Sequence, residues 1–466
     1  MNFNESIKLL PDNHQVVLFP ETGVTVTGAD LRSVSAVCAA WLQAKGYGTI
    51  GIHMCNCPEF LYILTGALRS GVKVMLFNAL NKVETDIPVF GRETVAEIIR
   101  NRPDVPAGFT EKDWGIDEPF LVLYTSGTSG ERKLIEKSTR SFFGGKGFRP
   151  SWRFILKLLS VRIYNCSPWY HNTGIYSLLI VLSGAPVTQV TSGKYNPETM
   201  RQNINSTLPG WIVTTPTMLS RSLRCGEIRL PSYIICTGEA LSGETVELLE
   251  RNGGGQLLYS GYGTTETGHI ALMMYTFRSV RFTGKILLLL LRASGLGTII
   301  FDRKRFKPNC VGVVSRNVEV RYSEKGEILV RSKQMAAGQG DAFFNTGDIG
   351  YLEDGLLFIT GRSSSVINRS GEKIEPYDIE KVISGLPGVK SVAVFGIPSQ
   401  THGEDICAAI ESDGGKPVVD RDLLSGLLPK YMIPSHLFFI DRFPMNGSGK
   451  ADLSALKSFA VKSTAT

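Results

Sequence analysis

The stretch Tyr124-Thr-Ser-Gly-Thr-Ser-Gly-Glu-Arg-Lys133 directly follows the apolar run Phe120–Leu123 and concentrates hydroxyls, glycines and a cation. Glycines allow positive φ and close backbone approach, hydroxyls donate hydrogen bonds to phosphate oxygens, and a lysine neutralises their charge. This composition favours a nucleotide triphosphate over the alternative, a solvated Ser/Gly turn. The candidate phosphate-binding residues are Thr125, Ser126, Gly127, Thr128, Ser129, Gly130 and Lys133.

The stretch differs from an ordinary P-loop. A P-loop has four residues between its two glycines and then Lys followed by Ser or Thr. Here Lys133 lies three residues after Gly130 and precedes Leu134, and the run Gly144-Gly-Lys-Gly147 fails the same test. The sequence therefore predicts a phosphate-binding loop that is not a P-loop.

Composition places the chain among ordinary globular enzymes. Its 466 residues are enough for a large core and at least two domains. The hydrophobic content of 43% and the charged content of 20% are typical of that class. The net charge of +7 favours anionic partners, among which ATP, coenzyme A, an acidic carrier protein and a membrane surface stay open. We expect no nucleic-acid partner.

The cysteines and the N-terminus indicate a cellular compartment. The cysteines form no CxxC pair and are scattered through apolar stretches, which predicts buried free thiols in a reducing compartment and no zinc site. The segment Met1–Ser6 lacks the basic and apolar regions of a signal peptide, so we expect a cytoplasmic protein. The cysteines are Cys38, Cys55, Cys57, Cys166, Cys225, Cys236, Cys310 and Cys407.

Two segments raise the question of membrane contact. The leucine-rich segment Lys285–Arg292, followed by Thr298–Phe301, has basic flanks but is too short to span a bilayer. It is consistent either with a core helix or with an amphipathic element that binds a membrane surface. Arg149–Arg162 has the same character, so peripheral membrane contact stays open.

Apolar strands alternate with helical patterns from Ala29 to about Val330, which is typical of parallel βαβ packing. The expected fold class is therefore α/β. Chemistry in such sheets gathers where strands end at their carboxyl edge, so the Tyr124–Lys133 stretch and Gly261–Glu266 are expected to converge. The predicted strands are Thr49–Met54, Lys73–Phe77, Phe120–Tyr124, Arg162–Cys166, Pro186–Val190, Trp211–Thr215, Tyr233–Thr237 and Gln256–Ser260. The predicted helices are Pro58–Ser70, Thr173–Ser183 and Gly243–Asn252.

The pattern changes after Val330 to a β subdomain and then to a small α+β unit. Strands are predicted at Ile328–Val330 and Gly350–Ile359, and Ser363–Ser365 is typical of a linker or hinge. Beyond it we predict helices Pro376–Ser384 and Asp420–Leu428, strands Val389–Gly396, Ile406–Glu411 and Leu437–Ile440, and a glycine-rich loop.

Four further stretches occur in a fixed order with the first. They are Tyr262–Glu266, Thr346–Asp348, Gly361–Arg362 together with Asn368–Pro376 and Ile379–Glu380, and Pro444–Lys450. Together the five motifs resemble those of the adenylate-forming (AMP-binding) superfamily, which includes acyl- and aryl-CoA synthetases, peptide-synthetase adenylation domains and firefly-type luciferases. The resemblance covers nearly the whole chain, beginning with the segment Leu31–Asn78.

The resemblance implies ATP-dependent activation of a carboxylic acid. The acid attacks the α-phosphorus, so the site must orient two anions and absorb the charge of departing pyrophosphate. Tyr262 is expected to offer a flat face for adenine, Thr265 a hydroxyl for the α-phosphate, and Glu266 an oxygen ligand for Mg²⁺. Nucleotide contacts are also expected from Gly263 and Thr264.

The resemblance also implies roles for three residues nearer the C-terminus. Asp348 is expected to accept hydrogen bonds from ribose hydroxyls, and Arg362 to reinforce that contact or steer the hinge. Lys450 lies in a glycine-rich loop, directly after Gly447-Ser-Gly449. It is expected to be the catalytic lysine of adenylation, bridging carboxylate, α-phosphate and ribose.

The domain boundaries follow from the same resemblance. Residues 1–362 form the predicted N-terminal AMP-binding domain, residues 363–365 the hinge, and residues 366–466 a small mobile lid domain that carries the catalytic lysine. The resemblance implies that Ser364 takes the hinge position, where relatives commonly carry Asp or Lys, which is a departure from the family pattern.

The acid-binding region is expected around Ser167–Gly174, where acid ligases carry a similar proline-aromatic-histidine stretch. His171, catalytic or substrate-binding, and Asn172 would line the carboxylate end of the pocket, with a structural role for His171 as the alternative. Gly238, Glu239 and Ala240 with Gly261 are expected to form walls near the acyl chain and adenine. No obvious aspartate is present to hold a substrate ammonium, which disfavours amino acids.

The motif Asn368–Ile374 is closer to stand-alone acyl- and aryl-acid ligases than to peptide synthetases. The expected function is therefore formation of a fatty or aryl acyl-adenylate and transfer to a thiol. No carrier domain follows Lys450 in this sequence, so the acceptor is expected in trans, as coenzyme A or a carrier-protein phosphopantetheine. A catalytically silent nucleotide-binding partner and an amino-acid adenylating enzyme are the alternatives.

Overall fold

The computed structural model describes residues 3–101, 110–126, 132–143, 162–183, 187–276, 300–302, 306–307, 309–336, 342–412, 417–446 and 451–464. The chain divides into two compact units. The first unit comprises residues 1–320, 330–344 and 355–357. The second unit comprises residues 321–329, 345–354 and 358–466.

The elements up to residue 314 lie in the first unit. In chain order they are α1 (Phe3–Lys8), β1 (Gln15–Phe19), β2 (Val24–Thr27), α2 (Gly28–Lys45), β3 (Thr49–Ile52), α3 (Pro58–Ser70), β4 (Lys73–Leu76), β5 (Val89–Phe90), α4 (Arg92–Asn101), β6 (Pro119–Ser126), β7 (Arg132–Ser138), α5 (Thr139–Phe143), β8 (Arg162–Asn165), α6 (Asn172–Leu182), β9 (Thr188–Thr191), α7 (Pro197–Thr207), β10 (Trp211–Thr214), α8 (Pro216–Arg224), β11 (Tyr233–Thr237), α9 (Gly243–Arg251), β12 (Leu257–Thr264), β13 (Gly268–Thr276), β14 (Ile300–Asp302) and β15 (Cys310–Val314).

The elements after residue 317 complete the chain. They are β16 (Val318–Tyr322), β17 (Glu327–Ser332), β18 (Phe344–Glu353), β19 (Leu356–Arg362), β20 (Ile367–Arg369), β21 (Glu372–Ile374), α10 (Pro376–Ser384), β22 (Val389–Ser399), β23 (Gly403–Ser412), α11 (Arg421–Ser425), β24 (His436–Ile440) and α12 (Leu453–Thr464).

Two sheets build the first unit. The smaller has the strand order β5-β3-β4-β6-β7, in which only the edge strand β7 runs antiparallel to its neighbour within the described residues. The larger runs in the order β13-β12-β11-β10-β8-β9-β1-β2 through this unit. Its strands β8 to β12 are parallel and their connections carry helices, as parallel pairing requires.

Helix caps fix where the crossover helices begin. Thr27 and Asp30 form a capping box at α2, in which each side chain accepts from the other's backbone N–H. The side chains of Asn196, Thr215 and Ser242 cap α7, α8 and α9 in the same position. Each helix therefore begins at a defined distance from the strand before it, and the loop at the strand's carboxyl end is fixed in length.

The second unit contains a sheet of order β21-β20-β23-β22, and β24 also pairs with β23, in parallel. Both faces of β22 and β23 are buried, because side chains alternate between faces along a strand. Val394 and Ile406 face a cluster with Ile379 and Ile383 of α10. Phe395 and Cys407 face a second cluster with Leu456 and Ala460 of α12.

The expected fold class is confirmed: parallel βαβ sheets form the large part of the chain, and a small α+β unit follows. Helices Pro58–Ser70 and Pro376–Ser384 have the predicted bounds, and the predicted strands of the first unit are present with shifts at their ends. The division predicted at residues 362 to 366 stays a prediction, and Ser363–Ser365 form one turn of 3-10 helix.

Several local expectations were wrong or incomplete. The predicted helix Asp420–Leu428 is only the short α11, and the strand predicted over Gly350–Ile359 is divided between β18 and β19. The hairpin β20–β21 and the terminal helix α12 were not expected. Ser370 and Gly371 both have positive φ, which is the backbone a two-residue hairpin turn requires.

The cysteines are free thiols, and most are buried, as expected. Cys225 is exposed and Cys55 is half-buried, which corrects the expectation for these two. Lys285–Arg292 and residues 149–161 lie outside the described residues, while Ile300–Asp302 is a strand beside β13 rather than part of a helix. None of the described helices is both long enough and apolar enough to cross a bilayer.

Glu380 makes the stability of the second unit sensitive to pH. Its Oε1 atom accepts a hydrogen bond from the backbone N–H of Val394 at 2.8 Å. Burial raises the pKa of this carboxyl to about 7. The folded protein therefore holds a proton that the unfolded chain releases, so this contribution to stability is complete below the ordinary pKa and is lost as pH rises through about 7.

We therefore expect Glu380→Gln, which keeps the acceptor, to gain stability relative to the wild type by about 1–3 kcal/mol between pH 5 and pH 8. Unfolding free energies at the two pH values measure this. Glu372→Gln, at an exposed site on β21, is the control and should show no such gain. If the difference in unfolding free energy between Glu380→Gln and wild type is the same at pH 5 and pH 8, the raised pKa of Glu380 is contradicted.

Candidate active site

The hairpin β12–β13 carries the predicted nucleotide residues of the second motif. Gly261 to Thr264 belong to strand β12 rather than to a loop, and Thr265, Glu266 and Thr267 form the turn. Thr267 N–H donates to Thr264 Oγ1 at 3.2 Å, and Thr264 N–H donates to Thr267 Oγ1 at 3.4 Å. Reciprocal bonds of this kind hold a tight turn in one conformation.

The turn is also fixed from outside the hairpin. Ala336 N–H donates to the Glu266 carbonyl at 2.7 Å. Gln334 Oε1 accepts from the backbone N–H of His269 at 3.2 Å, at the start of the returning strand. With their backbone held in this way, Thr265 and Glu266 keep half-buried side chains that are accessible to a ligand.

The segment Gly238–Ala240 lies beside this hairpin because β11 and β12 are parallel neighbours. Thr237, the last residue of β11, pairs with Gly261. Thr217 of α8 donates a side-chain hydrogen bond to Glu239 Oε2, which fixes the carboxylate. The structure therefore brings two predicted segments together at the carboxyl edge of the large sheet, where parallel α/β sheets bind ligands.

The predicted acid-binding residues join the same edge. Thr173 of α6 contacts Thr237 through their hydroxyls at 3.3 Å. His171 is the N-cap residue of α6 and its side chain makes no capping hydrogen bond, so this end of the helix favours an anion. Asn172 Oδ1 is buried and has no hydrogen-bond partner among the described residues. This oxygen can accept a hydrogen bond from a ligand.

The first motif forms a hairpin instead of a strand-to-helix turn. Thr125 pairs with Lys133 and Ser126 with Arg132 in the antiparallel pair β6–β7. Gly127, Thr128, Ser129, Gly130 and Glu131 lie outside the described residues. Lys133 is exposed, with its Nζ 5.5 Å from the ring centroid of Phe344. Both ends of the predicted phosphate loop therefore belong to one small sheet.

Lys137 connects this hairpin to the second motif, and sequence reasoning missed it. Its Nζ donates to the carbonyl of Thr265 at 2.9 Å and lies 5.2 Å from the ring centroid of Phe142. Burial lowers the pKa of Lys137 to about 8, an effect that the negative charge of Glu266 partly offsets. A signal existed in the sequence, since alternation along β7 places Lys137 on the same face as the apolar Ile135.

A tyrosine-histidine pair beside Gly261 was also missed. Tyr259 OH and His269 Nε2 are 2.7 Å apart, and His269 Nδ1 lies 3.2 Å from Ser315 Oγ. Burial lowers the pKa of His269 to about 4, so the imidazole is neutral at pH 7. A Cβ at Gly261 would stand 3.1 Å from His269 Nε2. Gly261 thus lets this polar pair approach the backbone closely. The sequence did not reveal the pair, because the register of β12 with β13 brings Tyr259 and His269 together.

A group of three aromatic side chains, Tyr176, Phe142 and Phe143, is also present in the first unit. Tyr176, one helical turn after Asn172, keeps 40% of its surface exposed. Its ring centroid lies 5.8 Å from that of Phe143 and 6.3 Å from that of Phe142. Burial raises the pKa of Tyr176, while the exposed part of its surface is accessible to a ligand.

Asp348 and Arg362 meet within the second unit. Arg362 Nε donates to Asp348 Oδ1 at 2.6 Å, and the Asp348 side chain is almost fully buried. Thr346 fixes the approach, because its hydroxyl donates to the Ile328 carbonyl at 2.9 Å and accepts from Asp348 N–H at 3.1 Å. The Thr346–Asp348 motif therefore lies in strand β18, with its carboxylate held by one arginine and able to accept further hydrogen bonds.

The described residues fit a magnesium nucleotide in their chemistry. Glu266 supplies a carboxylate without an ion pair among the described residues, and oxygen ligands of this kind are those Mg²⁺ prefers. Thr265 and Thr264 add hydroxyls, and Tyr262 adds a half-buried ring. Lys450 lies outside the described residues, so its predicted role and those of the other site residues stay predictions.

Comparison with known proteins defines the family. The sequence profile described as AMP-binding enzyme matches residues 81–338, more than half of the chain. The chain belongs to the AMP-binding enzyme family. The profile described as AMP-binding enzyme C-terminal domain matches residues 378–450 of the same chain. The resemblance to adenylate-forming enzymes that the five motifs predicted is therefore confirmed.

Curated relatives of this AMP-binding enzyme are named as CoA ligases. It is 27% identical over 454 residues to the 2-succinylbenzoate–CoA ligase of Bacillus pumilus, covering 88% of this chain and 87% of that protein. It is 23% identical over 495 residues to a long-chain-fatty-acid–CoA ligase of Mycobacterium tuberculosis, covering 94% and 93%.

Solved structures share the fold of this AMP-binding enzyme. ATP-bound MatB from Rhodopseudomonas palustris has a TM-score of 0.74 at 22% identity, covering 98% of this chain and 99% of that one. The o-succinylbenzoate CoA synthetase of Bacillus subtilis in complex with its acyl-adenylate has a TM-score of 0.73 at 21% identity, covering 98% of each chain.

Gly263 is a sensitive point of the β12–β13 hairpin. A Cβ at this position would stand 2.1 Å from the Gly268 carbonyl oxygen on the facing strand, where the neighbour is backbone and cannot rotate away. We expect Gly263→Ala to lower the free energy of unfolding by about 1–3 kcal/mol, measured by denaturant titration. Gly48→Ala, where a Cβ would meet nothing within 4 Å, is the matched control. Equal stability of the two variants would show that β12 and β13 can move apart at Gly263 without loss of stability.

Proposed function

We propose that this AMP-binding enzyme is an AMP-forming acid–thiol ligase. In the first half-reaction a carboxylate oxygen bonds to the α-phosphorus of ATP, the bond to the β-phosphate oxygen breaks, and pyrophosphate leaves. In the second, a thiol sulfur bonds to the acyl carbon and AMP leaves. The observation that carries this proposal is the meeting of His171–Asn172, Gly238–Ala240 and Gly261–Glu266 at one edge of the large sheet.

The residues of the first unit divide the work of adenylation in this proposal. Thr265 would hold the α-phosphate, and Glu266 would hold Mg²⁺, whose charge offsets that of the departing pyrophosphate. Tyr262, Gly263 and Thr264 would contact the nucleotide beside them. The Thr125–Gly130 loop and Lys133 would bind the outer phosphates, because backbone N–H groups and a cation suit oxygens that carry several charges.

The acid would bind at the beginning of α6. The beginning of α6, where the His171 side chain makes no capping hydrogen bond, suits a carboxylate, and Asn172 Oδ1 can accept a hydrogen bond from a donor on the ligand. Gly261 leaves room beside the Tyr259–His269 pair, and Tyr176 adds an accessible aromatic face. Gly238, Glu239 and Ala240 would complete the wall. A fatty or aryl acid fits this largely aromatic lining, since apolar and aromatic walls with few polar groups are typical of small-molecule pockets.

The second unit would supply the remaining groups. Asp348 would accept from ribose hydroxyls while Arg362 holds its carboxylate, and Lys450 would stabilise the charge that develops during adenylation. Coenzyme A is the proposed acceptor, because the curated relatives are named as CoA ligases. A carrier-protein phosphopantetheine is the alternative acceptor. Contact with a membrane surface is a separate part of the proposal, to be tested by experiment.

The first test of this function is pyrophosphate release with a panel of fatty, aryl and amino acids. We expect release with at least one fatty or aryl acid, trapping of the activated acid by hydroxylamine, and thioester formation when coenzyme A replaces hydroxylamine. Release without thioester formation would redirect the search to a carrier protein. ATP binding without pyrophosphate release from any acid would contradict the proposal and favour a catalytically silent partner.

The second test concerns Lys450. We expect Lys450→Ala to lower the rate of acid-dependent exchange of pyrophosphate into ATP by roughly a hundredfold or more, because a positioned charge at the reacting phosphorus is lost. The melting temperature should not change. Lys462→Ala, on the exposed face of α12, is the control. Near-normal exchange in Lys450→Ala would rule out its catalytic role.

A further inference from the structure

Lys137 lies on the inward face of the edge strand β7. Ile135 and Lys137, on this face, are 2% and 1% exposed, while Lys133 at its beginning is exposed. The residues between and before them point outward: Leu134 is exposed, and Glu136 forms a half-exposed ion pair with Lys73 at 2.6 Å. Glu136 is therefore engaged on the opposite face and does not neutralise Lys137.

A buried ammonium outside any ion pair is costly, and the negative charge of Glu266 offsets only part of that cost. Within the described part of the chain, Lys137 has no ion pair, and its hydrogen bond is the one to the Thr265 carbonyl. Desolvating a charged group costs far more than burying an apolar side chain of the same length, which would fill this space as well. A lysine here therefore reduces stability relative to methionine. This cost indicates that the contact of Lys137 with the turn has a role other than stabilising the fold.

That contact is with the residues assigned to adenylation. Lys137 holds the carbonyl of Thr265, while Ala336 N–H holds the carbonyl of Glu266. Two successive peptide groups are thus fixed by different parts of the first unit. Fixing these carbonyls limits the backbone motion of the turn, and with it the positions from which the Thr265 and Glu266 side chains extend.

We propose that Lys137 is a positioning residue for adenylation, which holds the Thr265–Glu266 turn in its working conformation. The proposal rests on the function proposed above. Lys137 acts through the turn and does not touch the reacting atoms, so it is distinct from the catalytic role assigned to Lys450.

Single-turnover pyrophosphate release tests this role, because its rate constant does not depend on the fraction of active molecules. We expect Lys137→Met to lower that rate constant roughly tenfold or more, as loss of a charged hydrogen bond at a reacting site does. Transfer to a thiol from a preformed acyl-adenylate should change less than the first step, because the Mg²⁺ that Glu266 would hold is needed for release of pyrophosphate, whereas Thr265 would contact the α-phosphate in both steps.

Three variants complete the design. Lys73→Met, in the same sheet and outside the site, should stay within about twofold of wild type in both half-reactions. Lys137→Arg, which keeps charge and donor, should recover part of the lost rate. If Lys137→Met does not fold, Lys137→Gln, which is neutral and one atom shorter, is read in the same way.

The outcomes separate this inference from the proposed function. If wild type releases pyrophosphate and Lys137→Met keeps its rate constant within about twofold, the positioning role is wrong while the ligase proposal stands. A fall in burst amplitude alone, with an unchanged rate constant, would also overturn the inference, because it indicates a purely structural lysine. If wild type activates no acid at all, the ligase proposal itself fails.

Discussion

The parallel pairing of β10, β11 and β12 is the constraint on which the candidate site depends. Parallel strands end at the same edge of a sheet, so the register of Thr237 with Gly261 sets two motif segments side by side although they are distant in sequence. The Thr173–Thr237 contact adds the start of α6. Moving any one strand by a single residue would turn its side chains to the other face and separate these groups.

A second constraint joins the two sheets of the first unit. The hydrogen bond from Lys137 to Thr265 connects the hairpin of the phosphate-loop motif to the hairpin of the Tyr262–Glu266 motif. Strands paired by cross-strand bonds flank both motifs, β6 and β7 around the first and β12 and β13 around the second. The described part of the site thus lies at sheet edges, and Thr265 and Glu266 extend from a turn whose two strands are paired.

Much of the fold was accessible to sequence reasoning. The buried strands of the first unit and the helices Pro58–Ser70 and Pro376–Ser384 have strong periodic patterns, and proline at the first turn marks the start of both helices. The terminal helix α12 was missed because only Leu456 and Ala460 of it are buried, which leaves a weak apolar stripe. The short hairpin β20–β21 was missed because three-residue strands carry too little pattern to recognise.

The sequence by itself determined the family, the α/β class and the chemical types available, because these depend on local motifs in a fixed order. It could not determine which motif residues meet, since strand register and packing between sheets are properties of the folded chain. Lys137 is the clearest instance: as a residue in a strand it has no motif of its own. Only the tertiary structure, by burying it against the Thr265 carbonyl, gives it a place beside the site.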